Sequence, residues 1–308
     1  MKDKDYLKKS NLPLVCIGMP VYNGEKFIRK SIDSVLNQTF TDFELIISDN
    51  ASTDSTPTIC TEYVKKDNRV HYIRQEKNIN MLPNYNFVLR DAKTKYFVWL
   101  EYDDFWYPNF LERNIRFLEM NQDFIASIGN IKYYGNVESN LDKKTIVSRI
   151  KNSIKHIQNI NSKFKYVHPV SGSYDKKIDF YLRFDRGSGI YAVYLTNVLQ
   201  KSTIKKSIAS WDLIIILNAL RYGNLHVFEE ILMERYALGT SSKGAITGYR
   251  HHQINLLDLL LPNSTFVIYT TKNLGKKFFL RNLDWFVLVL AYGWFTIIQE
   301  IKDGKYRN

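Results

Sequence analysis

The chain has 308 residues, enough for one large domain or two smaller ones. Hydrophobic residues make up 45% and charged residues 24%, which leaves little room for disorder outside the termini. With 43 Lys+Arg against 31 Asp+Glu the net charge is +12, and no nucleic-acid motif accompanies it, so the basic balance points to an anionic membrane surface or phosphorylated substrates.

Met1 to Asn11 is polar and Lys-rich and lacks the apolar core of a signal peptide, so a cytoplasmic start is expected. "LPLVCIGMPVYN" predicts an apolar strand and a turn at Pro20 to Asn23. In "EKFIRKSIDSVLNQT" the spacing of Phe27, Ile28, Ile32, Val35 and Leu36 predicts a helix. A second strand, Phe43 to Ile47, runs into the polar loop "SDNASTDST", and a helix is expected over Thr53 to Lys65. "RVHYIRQEKN" is a third strand, "NYNFVLRDAKT" a third helix and "KYFVWLEYDD" a fourth strand. This β-α-β-α-β-α-β alternation predicts a mostly parallel sheet with helices on both faces. Cys16 falls in the first strand and Cys60 in the second helix; two scattered thiols predict a reducing compartment without a disulfide framework. Beyond Asn130 the pattern weakens: "HIQNINSKFKYVHPVSGSYDKK" reads as irregular, and Asp212 to Tyr222 as a helix stopped by Gly223.

The strand ends are polar or acidic at Asn23, Asp49 with Asn50, Asn78, and Glu101 to Asp104. Ligands of open α/β sheets bind outside the carboxyl ends of the strands, so these loops are expected to converge on one crevice. Crowded carboxylates such as Asp103 and Asp104 raise each other's pKa unless neutralised, and a divalent cation is one way to neutralise them. The plainer alternative is a solvated acidic turn.

The "PVYN" turn, the run "SVLNQTFTDFELIISDNASTD", the "PNYN" helix start and the acidic cluster followed by Pro108 resemble the family 2 glycosyltransferases. The resemblance covers about Leu14 to Gly129 and continues more faintly to about residue 242. It implies an inverting enzyme of the GT-A (nucleotide-diphospho-sugar transferase) fold that uses a nucleotide sugar, a UDP-sugar by preference, with Mg²⁺ or Mn²⁺. Residue by residue, it implies that Pro20, Val21 and Tyr22 hold the base and that Asp49 accepts a hydrogen bond from uracil, with Asn50 and Asp54 beside it. Asn84 and Asn86 match a helix start, where Asn80 replaces a usual Gly. Asp103 and Asp104 match the metal and diphosphate site, and Glu101 stands where Asp is usual.

An inverting transfer needs a general base. The resemblance places one near the helix start "ASWDLIIILNALRYGN", where Asp212 is the only acid; an alternative register points to Ser210, and Glu229 and Glu230 are fallbacks. Asp212 is equally a first-turn acid that complements a helix dipole. Gly187, Gly189 and Ala192 spell G-x-G-x-x-A without a βαβ frame, so they read as the border of an acceptor pocket and not as a dinucleotide fingerprint. Arg235 and Lys243 are candidates for the diphosphate or plain surface charge, and the adjacent His251 and His252 receive no role.

At the C-terminus, Trp285 to Ile298 is an apolar run of 14 residues, shorter than the roughly 20 a membrane span requires. With basic flanks it predicts a helix lying on a membrane surface through residues near 276–301; a buried core helix or a dimer helix is the alternative, so a homodimer stays open. The expected organisation is a tail over 1–12, a catalytic domain over 13–245 divided at 129/130, and a helical, membrane-proximal region over 246–308. The expected acceptor is a glycan or a polyprenol-linked (lipid-linked) acceptor, on the cytoplasmic face of a membrane. Two rivals remain in view: a sugar-phosphate nucleotidylyltransferase, which would want a Gly-rich basic loop where "PVYNGEKF" stands, and a catalytically silent sugar-nucleotide-binding subunit.

Overall fold

The computed structural model describes residues 12–135, 167–184, 187–237 and 256–302. The first hundred residues alternate as the apolar runs dictate. Strands β1 (Val15–Val21), β2 (Phe43–Asp49), β3 (Val70–Arg74) and β4 (Tyr96–Trp99) are separated by helices α1 (Ile28–Leu36), α2 (Thr56–Lys66) and α3 (Met81–Arg90). β1 is buried along its whole length, as a central parallel strand covered on both faces must be. Gly18 at its middle is a packing requirement: a Cβ there would stand 2.6 Å from Val88 of α3 and from Phe97 of β4.

Helix ends shift from their expected places for local reasons. α2 starts three residues late because Asp54 accepts the Thr56 N–H at 3.0 Å, and Pro57 then fits the first turn. α3 starts at Met81, where Asn80 has a positive φ of 72°.

The remaining elements are β5 (Phe105–Trp106), α4 (Phe110–Met120), β6 (Phe124–Tyr134), α5 (Tyr174–Phe184), a 3₁₀ turn (Ser188–Tyr191), β7 (Val193–Leu195), α6 (Thr196–Ser202), α7 (Trp211–Ala219) and β8 (Asn224–Tyr236). Among the described residues the strands form one sheet ordered β3-β2-β1-β4-β7-β6-β8-β5. β3, β2, β1 and β4 are mutually parallel, β6 pairs parallel with β8, and β7 and β5 pair antiparallel with their neighbours. The sheet is therefore mixed, with a parallel first half and a mixed second half. β8 runs parallel to β6 through Tyr134↔Tyr236 and so delivers Arg235 beside the end of β4 and the acids that follow it. α7 is apolar on all sides and almost wholly buried, which explains its uninterrupted "LIIIL".

The C-terminal helices are α8 (Leu256–Leu260), α9 (Ser264–Leu274), α10 (Lys276–Arg281) and α11 (Leu283–Lys302). The 14-residue apolar run thus sits inside a 20-residue helix. Among the described residues no helix is long and apolar enough to cross a membrane.

Candidate active site

The parallel strands end together. Pro20 and Val21 of β1 lie in register with Ser48 and Asp49 of β2. The two following loops are laced to each other: Asn23 N–H donates to Ser52 Oγ (2.9 Å), Gly24 N–H to Thr56 Oγ1 (2.8 Å) and Thr53 N–H to Asn23 Oδ1 (2.8 Å). Lacing sets the loops as one rigid rim and leaves Tyr22 projecting from it, 41% exposed.

Behind the rim, Asp49 is fully buried. Its carboxylate accepts from Ser52 N–H (2.8 Å) and Tyr72 OH (2.6 Å), with Arg74 at 3.6 Å. Asn50 accepts from Ile79 N–H at 2.7 Å and donates to Asn78 Oδ1 at 3.1 Å. Asn84 is also interior: it exchanges hydrogen bonds with Ser48, accepting from Oγ at 2.6 Å and donating to the carbonyl at 2.9 Å. Asp49, Asn50 and Asn84 thus brace the strand ends from within, while Tyr22 is offered to solvent.

The acids after β4 form a turn closed by Asp104 N–H donating to the Glu101 carbonyl at 3.2 Å. The three carboxylates have different surroundings. Glu101 accepts from Tyr85 OH in a very short contact and from Tyr191 OH at 3.1 Å. Asp104, buried, receives Arg235 Nε at 2.7 Å and the Tyr236 N–H at 3.0 Å. Asp103 has its backbone carbonyl taken by Tyr134 OH at 2.6 Å, while its carboxylate has no side-chain partner among the described residues. Burial, then the charges of Glu101 and Asp104, push the Asp103 carboxyl up to about 8 despite Arg235. Burial also raises Glu101 and Asp104, the latter against the opposing pull of Arg235.

Arg235 is the counter-charge of the cluster and not a surface cation. Its guanidinium lies 3.8 Å over the Tyr191 ring and donates to the Tyr191 hydroxyl at 2.9 Å. Tyr191 therefore ties Arg235 to Glu101. Tyr85 lies inside the "PNYN" helix start and Tyr191 inside the G-x-G-x-x-A run, but neither is legible as a site residue in the sequence, because their partners lie 16 and 90 positions away.

Asp212 stands at the first turn of α7, where Leu213 N–H donates to its carboxylate at 2.9 Å. It is half-buried, and desolvation raises its pKa against that N–H and the field of Arg235. Gly187, with φ +88°, lies directly against this carboxylate, where any Cβ would collide. This gives the G-x-G-x-x-A run a physical use: Gly187 makes room for Asp212, and Gly189 donates its N–H to Tyr181 OH. Ser210 is the α7 N-cap with φ 55°. Glu230 pairs with Arg113 and Asn109 on α4's side, not with the cluster. Lys243, His251 and His252 lie outside the described residues.

Three carboxyls crowd one guanidinium here and resist ionising together, and their oxygens are the donor chemistry that Mg²⁺ and Mn²⁺ take. Among the described residues no set of three or more His, Cys, Asp or Glu side chains forms a ready cage. A cation held by one or two carboxylates and by substrate phosphates needs none, so these residues fit such an ion.

A parallel first half with an acidic turn at the end of its fourth strand, joined in one sheet to a mixed second half, defines the nucleotide-diphospho-sugar transferase class of fold. Residues 16–179, more than half of the chain, match the model of Glycosyl transferase family 2, and the chain belongs to that family. It is 37% identical over 119 residues to an uncharacterized glycosyltransferase of Rickettsia typhi, covering 38% of this chain and 36% of the relative. It is 36% identical over 106 residues to the putative teichuronic acid biosynthesis glycosyltransferase TuaG of Bacillus subtilis, covering 34% of this chain and 42% of the relative. The chain thus spans well under half the length of these curated relatives. In fold it is similar to S. aureus TarS 1-349 in complex with UDP-GlcNAc (TM-score 0.52, 18% identity, 72% of this chain and 58% of that one). It is similar also to the mannosyltransferase PcManGT from Pyrobaculum calidifontis in complex with GDP-Man and Mn²⁺ (TM-score 0.51, 14% identity, 79% and 62%).

Proposed function

We propose that the protein is an inverting glycosyltransferase that moves a sugar from a UDP-sugar to a hydroxyl of a glycan or a polyprenol-linked acceptor. The observation that carries this is the half-buried Asp103 carboxylate, without a side-chain partner among the described residues, beside the Asp104–Arg235 pair whose guanidinium also acts electrostatically on Asp212. Tyr22 stacks on the base at the rim, beside the braced strand ends of Pro20, Asp49 and Asn50. Asp103, with Asp104 behind it, would hold Mg²⁺ or Mn²⁺, which when bound supplies positive charge for a diphosphate leaving group. Arg235 adds a fixed positive charge on the same side.

Asp212 accepts the proton of the acceptor hydroxyl as that oxygen bonds to the anomeric carbon. The bond from that carbon to the diphosphate breaks with its electron pair staying on the phosphate oxygen, and configuration inverts. The raised Asp212 pKa suits a base, since it strengthens proton affinity.

The test is release of nucleotide from a panel of nucleotide sugars, with Mn²⁺ and with chelator, for the native chain and for Asp103→Ala. Metal-dependent release of UDP, lost in the variant while its melting curve is kept, is the expected result. Binding of UDP by calorimetry without turnover on any acceptor would replace the enzyme with a silent binder.

A further inference from the structure

A second surface stands apart from the crevice. On α11, Leu283, Val287, Ala291, Trp294, Ile298 and Ile301 are all exposed. At 100° per residue they fall within an arc of about 80°. The stripe is about 27 Å long at 1.5 Å per residue. Leu280, 66% exposed, stands three residues before Leu283 on the short helix α10, which is C-capped at Asn282. The other face of α11 is spent on the protein: Phe286 and Ile297 are buried, and Gly293 lies against Pro262. A continuous apolar stripe of this length on a folded surface marks an interaction site.

The charges around it select the occupant. Lys276 and Lys277 are exposed three and four residues before Leu280, so they share its face. Lys302 is exposed next to Ile301 at the far end. None of the three lysines has an ion-pair partner among the described residues. No acidic residue falls within the stripe, and Asp284 at its border is bound to Arg183 at 2.8 Å. A second copy would meet like charge whichever way it lay: Lys276 and Lys277 against Lys302 in an antiparallel pair, each against its equal in a parallel one. The complementary occupant is apolar beneath and anionic at its surface. Trp294 in mid-stripe has the apolar body and polar N–H suited to such a boundary.

We infer that α10 and α11 dock the protein on an anionic lipid bilayer, lying in the plane of the headgroups with the stripe facing the acyl chains. Ion pairs fix the stripe on the domain, Arg281 to Asp175 at 2.7 Å and Arg183 to Asp284 at 2.8 Å, so docking also orients the molecule. The inference does not rest on the transfer activity, and its test reads no activity.

The experiment is co-sedimentation of the full chain with vesicles of phosphatidylcholine alone and with about one third phosphatidylglycerol. Binding is expected to the anionic vesicles and to fall steeply between 0.1 M and 1 M salt, as the Debye length drops from about 10 Å to about 3 Å. Lys276→Gln with Lys277→Gln should weaken it roughly thirtyfold, at about fivefold per basic residue. Val287→Ser with Trp294→Ser and Ile298→Ser, all exposed positions, should abolish it while leaving the melting temperature unchanged. No sedimentation with anionic vesicles overturns the inference. So does equal binding to both vesicle types, or a dimer in analytical ultracentrifugation that the triple serine variant dissolves, which would make a second copy the occupant.

Discussion

At the scale of single residues, the site is a problem in placing carboxylates. Asp212 is held half-buried at a helix start, and desolvation raises its pKa. Two consequences follow with opposite signs. For turnover, the base must be ionised, so the rate falls as pH drops through the raised pKa. Asp212→Asn should lose roughly 10²–10⁴-fold in kcat with donor KM unchanged, and should lose that acid limb from the pH profile. For stability, the folded state binds the proton more tightly than the unfolded chain. Stability therefore falls as pH rises from the unfolded value, about 4, through the folded one. Asp212→Asn should thus melt higher than the native chain at pH 8, with the gain vanishing near pH 4; calorimetric scans at both pH values check it. Gly187→Ala tests the room this carboxylate needs. Its positive φ costs an Ala roughly 1–2 kcal/mol, and the added methyl meets the Asp212 carboxylate. We expect at least a tenfold loss of kcat with UDP binding, read by calorimetry, unchanged.

At the scale of elements, the first half was legible because its strands and helices each obey one period. β1 to β4 stand where the apolar runs "LVCIGMPV", "FELII", "VHYI" and "YFVWL" predict, and Ile28, Ile32 and Val35 of α1 are buried as their spacing requires. Helix starts were legible only to within a few residues, since the Asp54 carboxylate accepting the Thr56 N–H and the positive φ at Asn80 decide them. The second half was less legible because its logic is tertiary. β8 follows no alternating pattern: its middle, Val227 to Ile231, is partly or fully exposed and interrupted by irregular pairing with β6. The role of Arg235 depends on that pairing, which brings it to an acid 131 positions earlier. Asp103, Asp104 and Asp212 were legible as types of residue at strand and helix ends, but the Tyr191 bridge between Arg235 and Glu101 was not. The packing of the parallel half supplies its own prediction. Gly18→Ala would press a methyl onto Val88 and Phe97 at 2.6 Å, in the strand that both neighbours flank. Overpacking of this kind costs about 1–3 kcal/mol, to be read as a lower urea midpoint with an unchanged slope.

At the scale of the whole molecule, the question is what holds the C-terminal helices on the sheet domain. Ion pairs are the visible candidates: Arg183 with Asp284, and Arg281 with Asp175 and Asp179, with Arg221 donating to the Asn273 carbonyl at 2.6 Å. Their partners are partly exposed, so each pair is worth no more than about 1 kcal/mol. Beneath them Phe266, Phe278 and Phe286 are each 1% exposed, with Phe286 5.2 Å from Phe279 and 5.4 Å from Trp285 between ring centroids. Burying one such ring is worth about 1.5–3 kcal/mol, so the aromatic cluster carries the attachment and the ion pairs set its orientation. The two contributions separate by mutation. Arg281→Ala, which removes two such pairs, should lower stability by no more than about 2 kcal/mol and leave amide exchange in α9 and α11 nearly unchanged. Phe286→Ala should cost about 3–5 kcal/mol within this unit and raise exchange throughout residues 264–302. Exchange in β1 to β4 should stay slow in both variants, because that core is closed by its own helices. If Arg281→Ala alone released the helices, attachment would be electrostatic, and salt would then detach them from the native chain.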